Sequence, residues 1–428
     1  MGIAFPWPFM LREAFLQSAM AVTFHKAHLP NGLTIIAEAD PEAHSTAAGF
    51  FVRTGARDEA DEIMGVSHFL EHMMFKGTDG MSADDINRAF DEIGARNNAY
   101  TSSELTAFHA HVLPEHLPRA VELLSLLLRP ALRDEDFTTE KGVILEEIAM
   151  YKDNPFWVLY EEAVERHYRP HPLSHRVLGT AATITSLQRD AMRDYFESRY
   201  SADNTVLALA GRMDFDRVVE QVGGLCGGWS RTNAMRDPKP PTTGGGNFTL
   251  RDAKVTRGYI IGIAKGPAID DDRRYAASLA AHVLGSADNS RLHWSLVETG
   301  LAEQAESSYD AHEGVGETFV FAACDPERCD EVWEIVSREI ASLKDSLTDD
   351  DLLRIRSKIA TGVTLHGERP ADRMHRIGRR WTHLREYRTL EAELDRINRL
   401  TIADVRDVID AFPLSPTTVG RLLPEPQG

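Results

Sequence analysis

Two histidines, His68 and His72, bracket a glutamate, Glu71, in the run Ser67-His-Phe-Leu-Glu-His-Met-Met. A spacing of four residues puts both imidazoles on one helical face about one turn apart, where both rings can reach a single ion. Glu71 stands beside them on nearly the same face. A catalytic zinc needs three protein ligands and one position left for water, so a further ligand must come from elsewhere in the chain. Zinc lowers the pKa of its water toward about 7, and a nearby carboxylate can take the proton as hydroxide attacks a carbonyl. A helix with two histidines can carry the same pattern without any metal, so the surrounding sequence has to decide.

Other reactive side chains offer less. Cys226, Cys324 and Cys329 are odd in number and lack the paired spacing of a thiolate metal site, which suits a reducing compartment. His109 and His111 alternate along a strand pattern and share a face, but no third ligand lies near them in sequence, so they read as strand residues.

The elements that must position the His-Glu-His group follow from the patterning. Leu29-Pro-Asn-Gly is a hairpin turn; Leu33 to Glu38 and Ala47 to Thr54 read as two antiparallel strands opening the domain. Met64 to Lys76 has helical spacing, Ser82 caps a helix reaching Ile93, and Asn97 to Leu113 is extended. Helices are expected over His116 to Leu128 and Asp134 to Tyr151, the second with acids in its first turn, and further helices run through Tyr200. Val206 to Ala210 is a strand ending at Gly211, followed by a helix from Asp214.

Arg231 to Asn247, rich in Pro, Thr and Gly, has the composition of an exposed linker. The expected division is therefore an N-terminal extension over 1–21, a domain over 22–230, a linker over 231–247 and a second domain over 248–428. The second half offers strands near Phe248 and over Tyr259 to Ala264, helices over Asp271 to Leu284 and Arg291 to Glu298, a strand over Thr318 to Ala323, and long charged helices. Strands again precede helices over a similar length, which points to a duplicated domain.

With 428 residues, 43% of them hydrophobic and 26% charged, the chain exceeds one ordinary core. The net charge of −19 excludes general nucleic-acid binding, which needs clustered Lys and Arg. No apolar run is long enough for a spanning helix, so no membrane partner is expected. Residues 1–21 are apolar but lack a basic leader and contain Arg12 and Glu13, which makes a poor export signal; Met20 is an alternative start. The expected location is cytoplasmic, or periplasmic if that segment is a signal.

The stretch His68-Phe-Leu-Glu-His-Met-Met-Phe-Lys-Gly-Thr78 resembles the zinc helix of the pitrilysin or mitochondrial processing peptidase family, M16, almost residue for residue. Further resemblances follow in order: Leu29-Pro-Asn-Gly, Gly94-Ala-Arg-Asn-Asn-Ala-Tyr-Thr101, Glu140-Lys-Gly-Val-Ile-Leu-Glu-Glu147, His171-Pro-Leu, and Tyr195 through Asn204. They cover most of residues 22 to 215. The resemblance implies an α+β fold of two similar tandem domains, each an antiparallel-rich sheet with helices packed on one face. It also implies one zinc ion per chain, with Glu147 as third ligand beside His68 and His72. Glu146 competes for that role, but the two differ by about 100° around a helix, so one alone can face the metal. Glu71 would be the general base, and Glu140, two turns before Glu147, either a supporting acid or a solvated first-turn residue. Asn98, Ala99 and Tyr100 resemble the family's edge strand, to which an extended substrate adds by backbone hydrogen bonds.

One departure from the family stands out. Many active members carry an Arg and a Tyr that bind substrate near the zinc; aligned on Gly300-Leu301-Ala302, this chain has Leu296 and Glu303 there. Arg291 and Tyr309 are near in sequence but wrongly spaced. A site without those donors loses transition-state stabilisation of several kcal/mol. The resemblance therefore implies a zinc endopeptidase subunit that encloses unfolded or short peptides in a chamber. A homologous subunit would supply Arg and Tyr in a heterodimer, with a homodimer as the alternative. The competing readings are a non-catalytic scaffold or peptide-binding subunit, and a metal-storage protein; intact His68, Glu71, His72 and Glu147 speak against the first, and Glu71 in the position of a base speaks against the second.

Overall fold

The computed structural model describes residues 22–237 and 239–426, so the expected extension over 1–21 lies outside the described residues. Its first sheet contains β1 (Thr23–His28), β2 (Thr34–Ala39), β3 (Thr46–Val52), β4 (Arg96–Thr101), β5 (Thr106–Val112) and β6 (Thr205–Gly211), in the order β1-β2-β6-β3-β5-β4. β2 and β6 run parallel; the other neighbours are antiparallel. The two expected opening strands, β2 and β3, are thus not neighbours, because β6 returns after a long helical excursion and inserts between them. The turn at Leu29–Gly32 instead joins β2 to β1, a strand whose half-exposed side chains carry little periodic signal.

The second sheet contains β7 (Gly246–Arg251), β8 (Gly258–Gly266), β9 (Ala302–His312), β10 (Val315–Cys324) and β11 (Thr418–Leu423), in the order β7-β11-β8-β10-β9. β7 and β11 are parallel and the rest antiparallel. This pairing repeats β2-β6-β3-β5-β4 strand for strand, so the duplication is visible in topology where no residue repeat exists. β9 and β11 were not expected from the sequence.

The helices of the first half are α1 (Val66–Met74), α2 (Ala83–Glu92), α3 (Leu117–Leu127), α4 (Asp134–Tyr151), α5 (Pro155–Tyr168), α6 (Ala181–Ser186), α7 (Arg189–Arg199) and α8 (Phe215–Cys226). Those of the second are α9 (Arg274–Gly285), α10 (Cys329–Ser346), α11 (Asp349–Gly367), α12 (Pro370–Leu384), α13 (Leu390–Arg399) and α14 (Ile402–Ala411). The helix expected over Arg291 to Glu298 is a short π-type turn, His293–Val297. None of the described helices is long and apolar enough to cross a membrane.

Each sheet buries one face under its own helices and the other under a helix from the opposite half. Phe50, Val52 and Phe108 pack with Phe69, Leu70 and Met73 of α1. On the far face, Ile36, Phe51 and Val206 meet Met374, Ile377 and Trp381 of α12. Reciprocally, Leu159 and Ala163 of α5 pack on Ile261, Ile263 and Leu422 of the second sheet. Burial on both faces explains why β3 and β6 are apolar throughout rather than alternating. Gly378 lets α12 approach closely, since a Cβ there would lie 2.3 Å from Phe51 Cε2.

The described residues of the 231–247 segment before β7 form no helix or strand, and the segment is not uniformly exposed. Arg236 is buried and pairs with Asp58 and Glu313 at 2.6 and 2.8 Å. Its charge inside the junction between the halves makes the connection a fastened strap rather than a free spacer.

Candidate metal centre

α1 begins at Gly65, whose φ of 95° and 2.6 Å Cβ clearance to the Leu178 carbonyl oxygen exclude larger residues. No side chain caps it from the preceding residue. The buried Glu59 carboxylate does so instead, accepting the Gly65 and Ser67 N–H groups at 2.7 and 2.8 Å. Burial pushes the Glu59 pKa up to about 8 against the pull of those two bonds. The Tyr195 hydroxyl joins Ser67 Oγ and Thr54 Oγ1 at 2.7 and 2.8 Å, tying α1 to α7 and to the end of β3. With its apolar stripe in the core, the helix turns His68, Glu71 and His72 toward α4.

α4 is held by buried Phe137, Ile144 and Ile148, and the spacing of seven residues sets Glu140 and Glu147 on the face toward α1. Glu147 Oε2 lies 3.8 Å from His68 Nε2 and 3.6 Å from His72 Nε2. Those separations are too long for hydrogen bonds. They are close to the roughly 3.4 Å expected between two donors bound at about 2.1 Å to one tetrahedral ion. Among the described residues, these three form the one group of His, Cys, Asp and Glu whose donor atoms lie within 4.8 Å of one another. Glu146 is exposed and lies outside this group, whereas Glu147 belongs to it.

The donor set suits zinc: two imidazole nitrogens and one carboxylate make three of the four ligands of a tetrahedral ion. Burial, with His72 beside it, pushes the His68 pKa down to about 4, leaving a neutral ring able to coordinate. His72 Nδ1 sits 2.9 Å from Glu140 Oε1, and Lys76 Nζ lies 2.5 Å from Glu140 Oε2. A proton held on Nδ1 by Glu140 leaves the Nε2 lone pair free toward Glu147, the usual carboxylate–histidine support for a metal ligand. Glu140 is buried rather than solvated; burial raises its pKa, but Lys76 and His72 outweigh that and hold it below the ordinary carboxylate value.

Glu71 is outside the ligand group. Its Oε2 accepts the Thr101 hydroxyl at 2.6 Å, and burial raises its pKa while Thr101 and His72 oppose the rise. Thr101 ends β4, one of the two edge strands of the first sheet. Asn98 Oδ1 accepts the Ala99 N–H at 2.9 Å, occupying that backbone donor with the neighbouring side chain. Tyr100 does not point its ring at the metal centre: it packs on the far face among the residues under α12, 5.8 Å from the His375 ring. His109 stacks edge-on to His375 at 4.5 Å, and His111 bonds Ser45 Oγ at 2.8 Å.

The residues missed from sequence are Glu59, Lys76 and Thr101. Lys76 and Thr101 lie inside the stretches that carried the resemblance, yet nothing in their local pattern assigns them a partner. Leu296 is fully buried in the second core, and Glu303 is exposed and paired with Arg257. Arg291 donates to Asp351 at 2.7 Å and Tyr309 to the Pro267 carbonyl at 2.6 Å, so both are committed elsewhere.

A sequence profile described as Insulinase (Peptidase family M16) matches residues 34–181, and one described as Peptidase M16 inactive domain matches residues 186–359. An uncharacterized zinc protease of Mycobacterium tuberculosis is 33% identical over 410 residues, covering 93% of each chain. Among solved structures, a protease from Helicobacter pylori superposes with a TM-score of 0.88 over 95% of this chain and 100% of that one, at 18% identity. A Pseudomonas fluorescens structure described as a peptidase M16 inactive domain gives 0.87 over 95% and 99%, at 17% identity. The two structures share the fold.

Proposed function

The chain belongs to peptidase family M16, and on that premise we propose that it is a zinc-dependent endopeptidase subunit acting on unfolded or short peptides. The observation that carries the reading is the convergence of His68 Nε2, His72 Nε2 and Glu147 Oε2, with Glu71 alongside but outside the set. These three residues would hold one zinc ion. When bound, zinc supplies Lewis acidity that lowers the pKa of water and polarises a carbonyl. Glu71 takes the proton from the attacking water and returns it to the leaving amine. Glu140 fixes the ring of His72, and Lys76 fixes Glu140. The edge of β4 at Asn98, Ala99 and Tyr100 receives the substrate as an added strand, which demands an extended backbone and tolerates many side chains.

Leu296 and Glu303 support a second part of the proposal: the substrate-binding Arg and Tyr come from a homologous subunit in a heterodimer, and the two chains together enclose the peptide. The halves divide within 231–247, and the odd cysteine count favours a cytoplasmic location. A non-catalytic subunit of a larger assembly is the second reading, favoured by the same missing pair. The test is zinc analysis with a peptide digest, run on the chain with and without its homologous partner, and on Glu71→Gln. Wild type with partner should cleave, and Glu71→Gln should keep zinc while losing about a hundredfold or more of the activity. Equal rates with and without any partner would defeat the heterodimer; zinc binding without cleavage in every combination would leave the scaffold reading.

A further inference from the structure

Away from the metal centre, two of the three cysteines meet in the second half. Cys324 ends β10 and Cys329 opens α10; both thiols are free and buried, and their sulfurs lie 3.7 Å apart. The turn between them brings this about. Pro326–Arg328 makes one turn of 3-10 helix, and the Arg328 N–H donates to the Asp325 carbonyl at 2.9 Å. Gly258, opposite Cys324 on β8, leaves the space that the Cys329 sulfur fills, since a Cβ there would lie 2.3 Å from that sulfur. The separation is longer than a covalent bond and within side-chain rotation of one. Asp325, Glu327 and Arg328 are exposed, so the buried pair lies beneath a surface turn.

The two thiols are not equivalent. Cys329 is the first residue of an 18-residue helix, where free N–H groups and the helix dipole favour a negative sulfur. The Cys324 thiol donating to it, helped by Arg421 of β11, holds its pKa below the ordinary thiol value against burial, Asp330 and Glu327. That same bond, together with burial, pushes the Cys324 thiol up, and Arg257 only partly opposes the rise. Cys226 is the natural contrast: it is buried in the first core, and burial pushes its pKa up to about 12.

We propose that Cys324 and Cys329 are a peroxide-reactive thiol pair that closes to a disulfide between the end of β10 and the first turn of α10. The Cys329 thiolate attacks one oxygen of hydrogen peroxide; an S–O bond forms, the O–O bond breaks, and hydroxide leaves to become water. Cys329 is thereby oxidised to a sulfenic acid by two electrons, and the peroxide is reduced. The Cys324 sulfur then attacks the Cys329 sulfur; the S–S bond forms, the S–O bond breaks, and the departing hydroxide takes the Cys324 proton and leaves as water. Two thiols and one peroxide give one disulfide and two waters. A dithiol reductant reverses the bond by exchange, so the free thiols of a reducing compartment are the resting form. The inference does not depend on the peptidase reading.

The test treats full-length wild-type protein with hydrogen peroxide, removes the peroxide, blocks remaining thiols with iodoacetamide in denaturant, and reads a tryptic digest by mass spectrometry without reductant. Trypsin cuts after Arg328, between the two cysteines, so the disulfide joins peptide 292–328 to peptide 329–338. The joined species should appear, lighter by two hydrogens than its two reduced parts, and vanish on adding dithiothreitol. Cys329 should be consumed at least about tenfold faster than Cys226. Cys324→Ala should stop at the sulfenic acid, captured on Cys329 by dimedone, and Cys329→Ala should leave Cys324 unreacted over the same time. The wild-type digest alone decides whether the bond forms, whatever the variants do to folding. The proposal is overturned if the joined species is missing from peroxide-treated wild type, if Cys226 is consumed as fast as Cys329, or if dimedone labels Cys324 in Cys329→Ala as fast as it labels Cys329 in Cys324→Ala.

Discussion

The Thr101 hydroxyl donates to Glu71 Oε2 at 2.6 Å, joining the strand on which a peptide would lie to the carboxylate that would move the proton. Thirty positions separate the two in sequence, and the bond forms because β4 borders the helix carrying the histidine pair. A hydrogen bond to a charged group is worth about 1.5–3 kcal/mol. It fixes Glu71 beside His68 and His72 without using a nitrogen of either ring.

The first prediction follows from that bond. Thr101→Val keeps the shape of the side chain but removes the donor, so kcat/KM should fall about tenfold or more while zinc content stays the same. Thr101→Ser, which retains the hydroxyl, should stay within about threefold of wild type. Equal loss in both variants, or loss of zinc in either, would mean that Thr101 supports the fold and not the base.

The support behind His72 gives a prediction that does not depend on turnover. Glu140→Gln leaves the metal ligands in place but weakens the grip on the His72 ring and strands Lys76. Zinc affinity, measured by competition with a chelating indicator, should drop about tenfold to a hundredfold. Glu147→Gln, which replaces a ligand, should cost more than Glu140→Gln. If Glu140→Gln binds zinc as tightly as wild type, the carboxylate–histidine pair is not tuning the site.

These two predictions mark the border of what the sequence could convey. His68, Glu71 and His72 were legible because one helical turn brings them together whatever the rest of the chain does. Glu147 needed the family resemblance, since a partner from another helix leaves no local trace, and on pattern alone Glu146 was an equal choice. Glu59, Lys76 and Thr101 each act through a contact with a residue that periodicity cannot identify. The same holds for the fold: β9 is rich in acids and Ser because it is an edge strand, and β6 entered the sheet between β2 and β3 through tertiary pairing alone. The seating of α12 on the far side of the first sheet depends on Gly378 meeting Phe51, a match across more than half the chain.

The strap between the halves yields a stability prediction. Arg236 lies buried against Asp58 and Glu313, close to Glu104, and its NH2 also donates to the Glu104 carbonyl at 2.6 Å. Arg236→Met preserves volume but leaves buried carboxylates short of one cation, with Arg53 and Arg57 remaining as partners. Breaking a buried pair from one side costs about 3–5 kcal/mol. Urea unfolding should register a loss of that order, and proteolysis should cut near 231–245 sooner than in wild type. A loss below about 0.5 kcal/mol would show that the strap is held by its neighbours alone.

A last prediction concerns pH and the junction of the two sheets. His312 on β9 places Nδ1 3.4 Å from Glu104 Oε2, which belongs to the turn between β4 and β5. Burial alone would lower its pKa, but Glu104, Glu317 and Asp310 prevail and raise it from 6.5 to about 9. The folded state therefore holds this proton more tightly than the unfolded chain, and the resulting stability is fully present below pH 6.5 and lost as pH rises through 9. Glu59, raised from 4.5 to about 8, is also more protonated when folded, and its contribution fades between those values. The two windows overlap from pH 6.5 to 8, and only His312 extends above it. With metal removed by chelation, the unfolding free energy of wild type should decline from pH 6.5 to 9 by up to about 3 kcal/mol for His312 alone. His312→Gln should flatten the stretch from 8 to 9 and leave the decline below 8 that belongs to Glu59; Glu59→Gln should remove only what Glu59 adds below 8 and leave the decline from 6.5 to 9 that belongs to His312. A wild-type stability that rises from pH 6.5 to 9 would contradict the raised value and mean that His312 is neutral against Glu104 in the folded protein.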